Sequence, residues 1–477
     1  MNSELRKNAP LLDAYLSYFE TKRTAFTIPG HKQKAHRLDQ GLGTVVDSDT
    51  PLYGGLDEIK LTEGTLKKGE ELAASLWCAD YARFSTGGST HANQAIILAL
   101  GKPGDKVAVS RTAHRSVLSA LVLAGLEPIW LIPEIDQATG VPIGIPVSEL
   151  ERVLDQKPIA LLLTEPGYLG TISELPALII KAHENSIPVI VDAAWGGHFG
   201  FNSQLPQHVL QLGADALITS VHKALPGYSA SALLLAQGKL LKLDRIEQSF
   251  ETTHTTSPAG APLASIDGVR ALLQTRGDQL TGDLVSFVNS FKSSVQAHFD
   301  ATIFLNPADF PISRFDPVKV VLRANILGLS GIDVERELQK AHIRVEMADR
   351  DTIVFLATLA DTADDFKVLE NALVPILKSL QGPSRKTQTS LSWSVVPTVA
   401  ISIRDAYFAD TEFVSAAAAI GRISSDLIAP YPPGVAVVAP GELLTEQIVS
   451  GLAATQKAGV RIAYASDSSL ATYRVTK

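Results

Sequence analysis

Polar side chains that could do chemistry stand together near the middle of the chain, in the stretch "ALITSVHKALPGY" (216–228). They are Ser220, His222 and Lys223, and they follow directly on an apolar run. Lysine is rarely buried without a partner. Lys223 is therefore either a solvated loop residue or an amine held in place for reaction. A positioned lysine amine can attack a carbonyl group and form a Schiff base.

An acid and a histidine occupy comparable places after other apolar runs. Asp192 follows "PVIV", where a carboxylate is costly to bury unless a cation meets it. A cap on a following helix explains Asp192 equally well. His114, in "RTAHRSV", follows "VAVS". A lone histidine in such a loop is more often a hydrogen-bonded structural residue than a catalytic one.

Glycines and hydroxyl residues open a helical segment at "GGSTHANQAIILAL" (87–100). Gly87 and Gly88 allow a close approach of the backbone. Ser89 and Thr90 offer hydroxyls at the helix N-terminus, where the dipole favours an anion such as phosphate. An ordinary Ser/Thr N-cap explains this stretch at least as well. It is not a P-loop, because the GKS/T signature is absent.

Together these residues match the needs of one cofactor, pyridoxal 5'-phosphate. That cofactor needs a phosphate cradle, a residue to stack on its ring, an acid for its ring nitrogen and a lysine amine. The chain order agrees, with Ser89 and His114 before Asp192 and Lys223 after it. A metal site fits less well, because the histidines lack the close spacing with carboxylates that metal sites usually have. The GxSxG motif of Ser-His-Asp hydrolases is also missing.

The elements that must position these residues are short, continuous apolar runs separated by segments with helical spacing. Such runs predict strands that are buried on both faces of a mostly parallel sheet, with helical crossovers, so the fold class is α/β. Ligands bind beyond the carboxyl ends of such strands. The predicted strands are 106–110, 159–164, 187–193, 216–220 and 231–236.

The pattern changes towards the C-terminus, and we predict three domains. Residues 1–312 form an N-terminal arm and a large cofactor-binding domain, and 313–382 form a small α+β domain with the order strand, helix, strand, strand, helix. The polar stretch "QGPSRKTQTS" (381–390) reads as a linker. Residues 391–477 form a C-terminal domain with the turn-rich stretch "APYPPGVAVVAPGE" (429–442).

Composition limits the class of protein. Apolar residues make up 45% of the 477 residues and charged residues 19%, which suits a packed globular protein. The net charge of -8 and the absence of a basic stripe argue against nucleic acid and anionic membranes as partners. A single cysteine, Cys78, excludes an intrachain disulfide. The first twenty residues read as an amphipathic helix rather than a signal peptide, so we expect a cytoplasmic protein.

The sequence resembles the Orn/Lys/Arg decarboxylases, which are pyridoxal-phosphate enzymes of the aspartate-aminotransferase fold. The motifs that carry the resemblance run nearly end to end. They are "IPGHKQ" (28–33), "GLDEIKLTEGTLKKGEELAA" (55–74), "GGSTHANQAIILAL" (87–100), "RTAHRSVLSALVLAGLEPIWL" (111–131), "TEPGYLGT" (164–171), "VDAAWGGHFGF" (191–201), "SVHKALP" (220–226), "TTSPAGAPLASID" (255–267) and "AIGRISSDLIAPYPPGVAVVAPGE" (419–442). The pairing of SxHK with a distant YPPG…PGE is the most specific feature.

The resemblance implies a role for each matching residue. Lys223 would bind the cofactor covalently, His114 would stack on its ring, Asp192 would pair with the ring nitrogen, and Ala194 would pack under the ring. His222 and Ser220 would contact the phosphate and the active site. Ser89 and Thr90 match the phosphate-loop hydroxyls. Thr256 matches a residue that reaches the phosphate of a neighbouring subunit, which implies a homodimer with shared active sites.

The resemblance also implies the reaction, which is decarboxylation of a basic L-amino acid to an amine of the polyamine pathway. Arginine and lysine are expected more than ornithine, giving agmatine or cadaverine rather than putrescine. The distal cationic group of the substrate needs an acid. Glu442 and Asp467 are the candidates in the C-terminal domain, although a solvated surface position explains Asp467 better.

Two other functions remain open from the sequence. One is a different pyridoxal-phosphate reaction on the same fold, such as that of an aminotransferase or a lyase. Aminotransferases usually carry a small-domain arginine for the substrate carboxylate, and Arg336 and Arg344 lie in that region. The other is a non-catalytic regulatory relative. An intact set of site residues argues against it.

Overall fold

The structure is a computed structural model, and it describes residues 3–21, 24–52, 56, 64–310, 314–431 and 434–477. Parts of two quoted motifs lie outside these residues. They are positions 55 and 57–63 of the motif "GLDEIKLTEGTLKKGEELAA" (55–74), and positions 432–433 within the YPPG motif. The remaining motifs are described in full.

The described residues form helices and strands in the following chain order. The helices are α1 Ser3–Asn8, α2 Pro10–Glu20, α3 Gln40–Val46, α4 Thr65–Leu76, α5 Gly88–Leu100, α6 Arg115–Ala124, α7 Val147–Val153, α8 Leu175–Glu184, α9 Leu243–Thr253, α10 Gly260–Gln296, α11 Gly331–Lys340, α12 Ala363–Leu380, α13 Leu391–Ser394, α14 Ile403–Phe408, α15 Ala416–Ala419 and α16 Glu446–Lys457. The strands are β1 Tyr81–Ser85, β2 Lys106–Ser110, β3 Glu127–Leu131, β4 Glu134–Ile135, β5 Pro142–Gly144, β6 Leu161–Thr164, β7 Val189–Asp192, β8 Ala216–Ser220, β9 Ala232–Ala236, β10 Val320–Arg323, β11 Met347–Ala348, β12 Thr352–Phe355, β13 Thr411–Ser415, β14 Ala429–Tyr431, β15 Arg461–Ala463 and β16 Thr472–Thr476.

The central sheet has seven strands in the order β1-β9-β8-β7-β6-β2-β3. Five neighbouring strands pair in parallel, in the order β3, β2, β6, β7 and β8. β9 runs antiparallel to both of its neighbours, β8 and β1. The predicted α/β class with a mostly parallel sheet is therefore confirmed. All five predicted apolar runs contain strands, although β6, β7 and β9 are shorter than predicted.

Helices cover both faces of this sheet, which explains the continuous apolar runs. Alternate residues of one strand pack into two separate cores. Leu161 and Leu163 of β6 belong to one core, whereas Leu162 belongs to the other. Because neither face meets water, the strands do not need polar residues at every second position.

The smaller sheet has the order β10-β12-β11, is antiparallel, and packs with α11 and α12 around a core of its own. Helix α10 joins it to the large sheet, because Leu263 and Ile266 pack in the large-domain core and Val288 and Phe291 in the small one. Near the C-terminus, the ribbons β13-β16 and β14-β15 and helix α16 surround a further core. The exact domain limits stay a prediction.

Two local expectations differ from the structure. The predicted N-terminal helix is split into α1 and α2 at Ala9–Pro10, because proline lacks the N–H that a continuous helix needs. The predicted linker 381–390 is docked rather than free. Within it, Arg385 donates to the carbonyl of Arg350 at 3.0 Å, and its own carbonyl accepts from Asn325 at 3.0 Å. In the described part of the chain, no helix is both long and apolar enough to cross a membrane.

Candidate active site

Two neighbouring strands of the sheet end in the residues that carry the candidate chemistry. Asp192 is the last residue of β7, and Ser220 is the last residue of β8. These strands pair in parallel, with Asp192 opposite Ile218, so their carboxyl ends lie side by side. Lys223 follows β8 by three residues. The parallel register therefore brings the predicted acid and amine to one edge of the sheet.

The carboxylate of Asp192 is buried and held by two donors. Its Oδ2 accepts from Nδ2 of Asn93 at 2.8 Å, and its Oδ1 accepts from the backbone N–H of Ala194 at 3.2 Å. Only 4% of Asp192 is exposed. No helix begins at Asp192, so the alternative that it caps a helix does not apply. Its carboxylate has been removed from water and fixed in one orientation.

His114 is joined to the same network through Ser116. The Nδ2 group of Asn93 also donates to Ser116 Oγ at 3.0 Å, and that hydroxyl lies 2.8 Å from His114 Nδ1. His114 is at the same time the N-cap of α6, since its Nδ1 accepts from the backbone N–H of Ser116 at 3.2 Å. An accepting Nδ1 leaves the proton on Nε2. Burial lowers the pKa of His114, against the opposing effect of Asp192, so the imidazole stays neutral.

The amine of Lys223 lies 4.4 Å from the ring centroid of Trp195. Burial lowers the pKa of this lysine, although the carboxylates of Asp192 and Glu346 oppose the shift. A lowered pKa increases the fraction of neutral amine, which is the nucleophilic form. The surroundings of Lys223 therefore suit covalent chemistry at its nitrogen.

The start of α5 meets the end of β8 through two hydroxyls. Ser89 Oγ lies 2.8 Å from Ser220 Oγ. Gly87 is the N-cap and gives no side-chain cap, so Ser89 and Thr90 do not act as the ordinary N-cap that the sequence left open. Thr90 is exposed. The helix thus presents uncapped N–H groups beside a cluster of hydroxyls, which is an arrangement that suits phosphate.

The remaining predicted cofactor contacts are His222, Ala194 and Thr256, and each has different surroundings. Nδ1 of His222 donates to the carbonyl of Ser231 at 3.0 Å, which fixes the ring beside Lys223. Ala194 is buried and contacts Asp192 through its backbone. Thr256 is exposed in the loop between α9 and α10. Their roles toward a cofactor stay predictions.

The structure gives Glu442 a role that differs from the predicted substrate acid. Arg111 Nη1 donates to its Oε1 at 2.6 Å, and Arg111 Nη2 donates to its Oε2 at 2.9 Å. Its Oε2 also accepts from the backbone N–H of Ala439 at 2.8 Å. Only 1% of Glu442 is exposed. Both carboxylate oxygens already have partners within the chain, so the geometry favours a structural role, and a substrate contact of Glu442 stays an untested prediction.

Asp467, the other substrate candidate, organises a turn. Its carboxylate accepts hydrogen bonds from the backbone and hydroxyl groups of Ser469 and Thr472, at 2.5 to 2.9 Å. Those hydrogen bonds lower the pKa of Asp467. This geometry agrees with the alternative of a partly solvated structural residue and gives no sign of a substrate contact.

Sequence reasoning missed three residues that the structure brings to the site: Asn93, Trp195 and Lys319. Asn93 lies four positions after Ser89 on α5, so helical spacing could have placed it on the same face. Trp195 follows Ala194 in a quoted motif but received no role. Lys319 comes from the small domain, and its amine lies 4.2 Å from the ring centroid of Trp195. Across the described ranges, no group of three His, Cys, Asp or Glu side chains could hold a metal ion.

Comparison with known proteins agrees with this geometry. The family model described as "Orn/Lys/Arg decarboxylase, major domain" matches residues 9–314, and the model of the C-terminal domain of the same family matches 386–462. A protein of Bacillus subtilis (strain 168) named arginine decarboxylase is 32% identical over 480 residues, which cover 98% of each chain. A protein of the same name from Halalkalibacterium halodurans is 30% identical, over 99% of this chain and 98% of that one.

Solved structures show the same fold. The lysine decarboxylase LdcF of Francisella novicida superposes with a TM-score of 0.84 at 19% sequence identity, covering 98% of this chain and 81% of that chain. The sequence matches extend from the N-terminal arm into the C-terminal domain, and they include the strand ends that carry Asp192 and Lys223. The chain belongs to the Orn/Lys/Arg decarboxylase family.

Proposed function

We propose that this protein is a pyridoxal 5'-phosphate-dependent decarboxylase that converts L-arginine to agmatine and CO2. The observation that carries the proposal is the pair of neighbouring strand ends. One holds a buried, doubly hydrogen-bonded carboxylate at Asp192, and the other is followed by an amine of lowered pKa at Lys223.

The described residues fit pyridoxal phosphate. Lys223 would supply the amine for covalent attachment, Asp192 would hold a proton on the ring nitrogen, and His114 would cover one face of the ring. The hydroxyls of Ser89, Thr90 and Ser220, with the N-terminus of α5, suit the phosphate, and His222 lies beside them. When bound, the cofactor supplies a ring that accepts the electron pair left by the departing CO2.

Arginine is proposed as the substrate because of the names of the relatives. The two proteins at 32% and 30% identity are both named arginine decarboxylase and match over nearly their whole length. The lysine-named structure shares only 19% identity, which supports a common fold and says nothing about the substrate. Lysine and ornithine are the alternatives to be compared in the same assay.

An aminotransferase reaction is less well supported by the position of the candidate arginines. Arg336 is exposed and donates to Asp333 at 3.0 Å on its own helix. Arg344 is also exposed and lines a separate small cavity with Asp361 and Asp365. Neither side chain offers a buried guanidinium to a substrate carboxylate at the Lys223 site.

The proposal includes a homodimer in which Thr256 reaches the site of the neighbouring subunit. It also includes a cytoplasmic location, which agrees with a chain whose single cysteine cannot form an intrachain disulfide. The exposed position of Thr256 is compatible with contact across an interface.

The test is release of CO2 and amine from arginine, lysine and ornithine, assayed in parallel with added pyridoxal phosphate. We expect arginine to give agmatine at a rate well above the other two. The Lys223→Ala variant should lose activity and the visible absorbance of the covalently bound cofactor. Lys102→Ala, a change at an exposed loop lysine, is the control. A keto acid instead of CO2, or the same absorbance in Lys223→Ala, would contradict the proposal.

A further inference from the structure

Lys319 enters the site from the small domain. It lies directly before β10, and only 4% of it is exposed. Its amine is 4.2 Å from the ring centroid of Trp195, and the amine of Lys223 is 4.4 Å from the same centroid. The two nitrogens can therefore be no farther apart than the sum of these distances. Both amines thus lie against the same indole ring, and the charge of Lys223 helps to lower the pKa of Lys319.

The other buried lysine and arginine side chains of the described residues all have hydrogen-bond acceptors. Each of the three buried arginines pairs with a carboxylate, and Lys292 donates to the carbonyl of Lys319 at 2.9 Å. The arginine pairs are Arg83 with Glu70, Arg111 with Glu442 and Arg270 with Asp267. The amine of Lys319 has no hydrogen-bond acceptor among the described residues. It lies against the face of Trp195 and is attracted by the carboxylate of Asp316.

Neither of the two acids near Lys319 accepts a hydrogen bond from its amine. Asp316 is bound by His198 Nε2 at 3.1 Å and by the backbone N–H of Val318 at 3.1 Å. Glu346 is exposed and acts on Lys319 only through electrostatic attraction. Burial lowers the pKa of Lys319 to about 8, so the amine is mostly protonated at neutral pH. An ammonium group that donates no hydrogen bond within the described residues, at the end of a largely buried side chain, can bind an incoming anion.

We propose that Lys319 binds the α-carboxylate of the substrate, an inference that rests on the proposed decarboxylation of a basic amino acid. The substrate's α-amine would take the place of the Lys223 amine, and the substrate's carboxylate is attached to the carbon that carries this α-amine. That carboxylate is the only anionic group of such a substrate. Lys319 thus orients the bond that is broken, and CO2 leaves without a net charge, so the product amine is no longer held by this contact.

The test compares two ligands that differ at the carboxylate. L-Argininic acid has a hydroxyl in place of the α-amine of arginine and keeps the carboxylate. Agmatine keeps the amine and lacks the carboxylate. Both are measured as inhibitors of the holoenzyme of wild type and of Lys319→Met, which keeps an unbranched side chain one atom shorter and removes the charge. We expect Lys319→Met to bind argininic acid at least about tenfold more weakly and agmatine within about twofold of wild type. KM should rise more than kcat falls.

Lys319→Gln provides a second variant if Lys319→Met does not fold, and Lys340→Met, at an exposed lysine of the same domain, is the control. Equal weakening of both ligands, or no change in either, would overturn the role of Lys319. Failure of the proposed substrate is visible separately, because the wild type would then release no CO2 from arginine. If lysine is the substrate, the ligand pair becomes 6-amino-2-hydroxyhexanoate and cadaverine, and the expected selectivity stays the same.

Discussion

At the scale of single residues, the side-chain amide of Asn93 links two parts of the site, because it donates both to Asp192 and to Ser116. Replacing it with alanine leaves Asp192 Oδ2 without this donor. An unsatisfied buried acceptor costs about 1–3 kcal/mol. We therefore expect Asn93→Ala to bind pyridoxal phosphate about tenfold more weakly, measured by titration of the apoenzyme.

The neighbouring variant Gln94→Ala is the matched control, since its amide makes only a 3.5 Å contact to Ser119. Asp192→Ala should weaken binding more and reduce turnover close to zero. If Asn93→Ala bound the cofactor as tightly as Gln94→Ala, the amide of Asn93 would not be what holds Asp192 in place.

Glu165, which directly follows β6, predicts a pH dependence of stability. Burial raises its pKa to about 7 from an ordinary 4.5, against the hydrogen bonds from Ser173. Between these values the folded chain holds a proton that the unfolded chain has lost, so the stability contributed by this group falls as the pH rises through that window. The full effect is up to about 3 kcal/mol. In Glu165→Gln, thermal unfolding should depend less on pH between about 4.5 and 7.

The slope should decrease rather than vanish, because burial also raises the pKa of Glu70 to about 7. Glu174→Gln changes an exposed acid nearby and serves as the control. An unchanged slope in Glu165→Gln would mean that this carboxyl is ionised in the folded protein.

At the scale of elements, the pair formed by Arg111 and Glu442 connects the segment after β2 to the C-terminal domain. Both side chains are nearly fully buried, and Arg111 also stacks at 4.7 Å on Trp130. Glu442→Ala would leave a guanidinium buried without a carboxylate, which costs about 3–5 kcal/mol. We expect a marked loss of stability in denaturant unfolding.

The exposed Glu446, in the first turn of α16, gives the control variant Glu446→Ala. A double variant with Arg111→Met and Glu442→Leu should recover part of the lost stability, because no charge then remains unpaired. Unchanged stability of Glu442→Ala would show that the pair contributes nothing to the docking of the C-terminal domain.

At the scale of the whole molecule, the proposed homodimer predicts complementation between inactive subunits. Lys223→Ala removes the amine, and Thr256→Arg blocks the exposed residue that is proposed to serve the neighbouring site. A mixed dimer contains one site with both native residues. Unfolding and refolding an equal mixture should therefore restore about a quarter of the wild-type activity. No recovery in a mixture that does form mixed dimers would argue against shared sites.

The sequence predicted the sheet well because strands buried on both faces leave a simple signal, a short run without polar residues. The antiparallel direction of β9 could not be predicted, since a buried strand has the same apolar run in either direction. Asp192 and Lys223 were predictable because each follows such a run. The ion pair of Glu442 could not be predicted, because its partner lies 331 positions away along the chain. Lys319 depends on how the small domain docks, which no local pattern encodes.

The direction of β9 also determines when the site can form during synthesis. β1 leads into the turn before α5, yet its ladder partner in the central sheet is β9, with Ser85 opposite Ala232. The ribosome must therefore release residues up to 236 before β1 can join the sheet. A nascent chain that already contains Asp192 and Lys223 still lacks β9, the strand that pairs with β1. If the proposed cofactor binds only when β1 is paired, ribosome-bound fragments that end before β9 should retain less pyridoxal phosphate than the full chain.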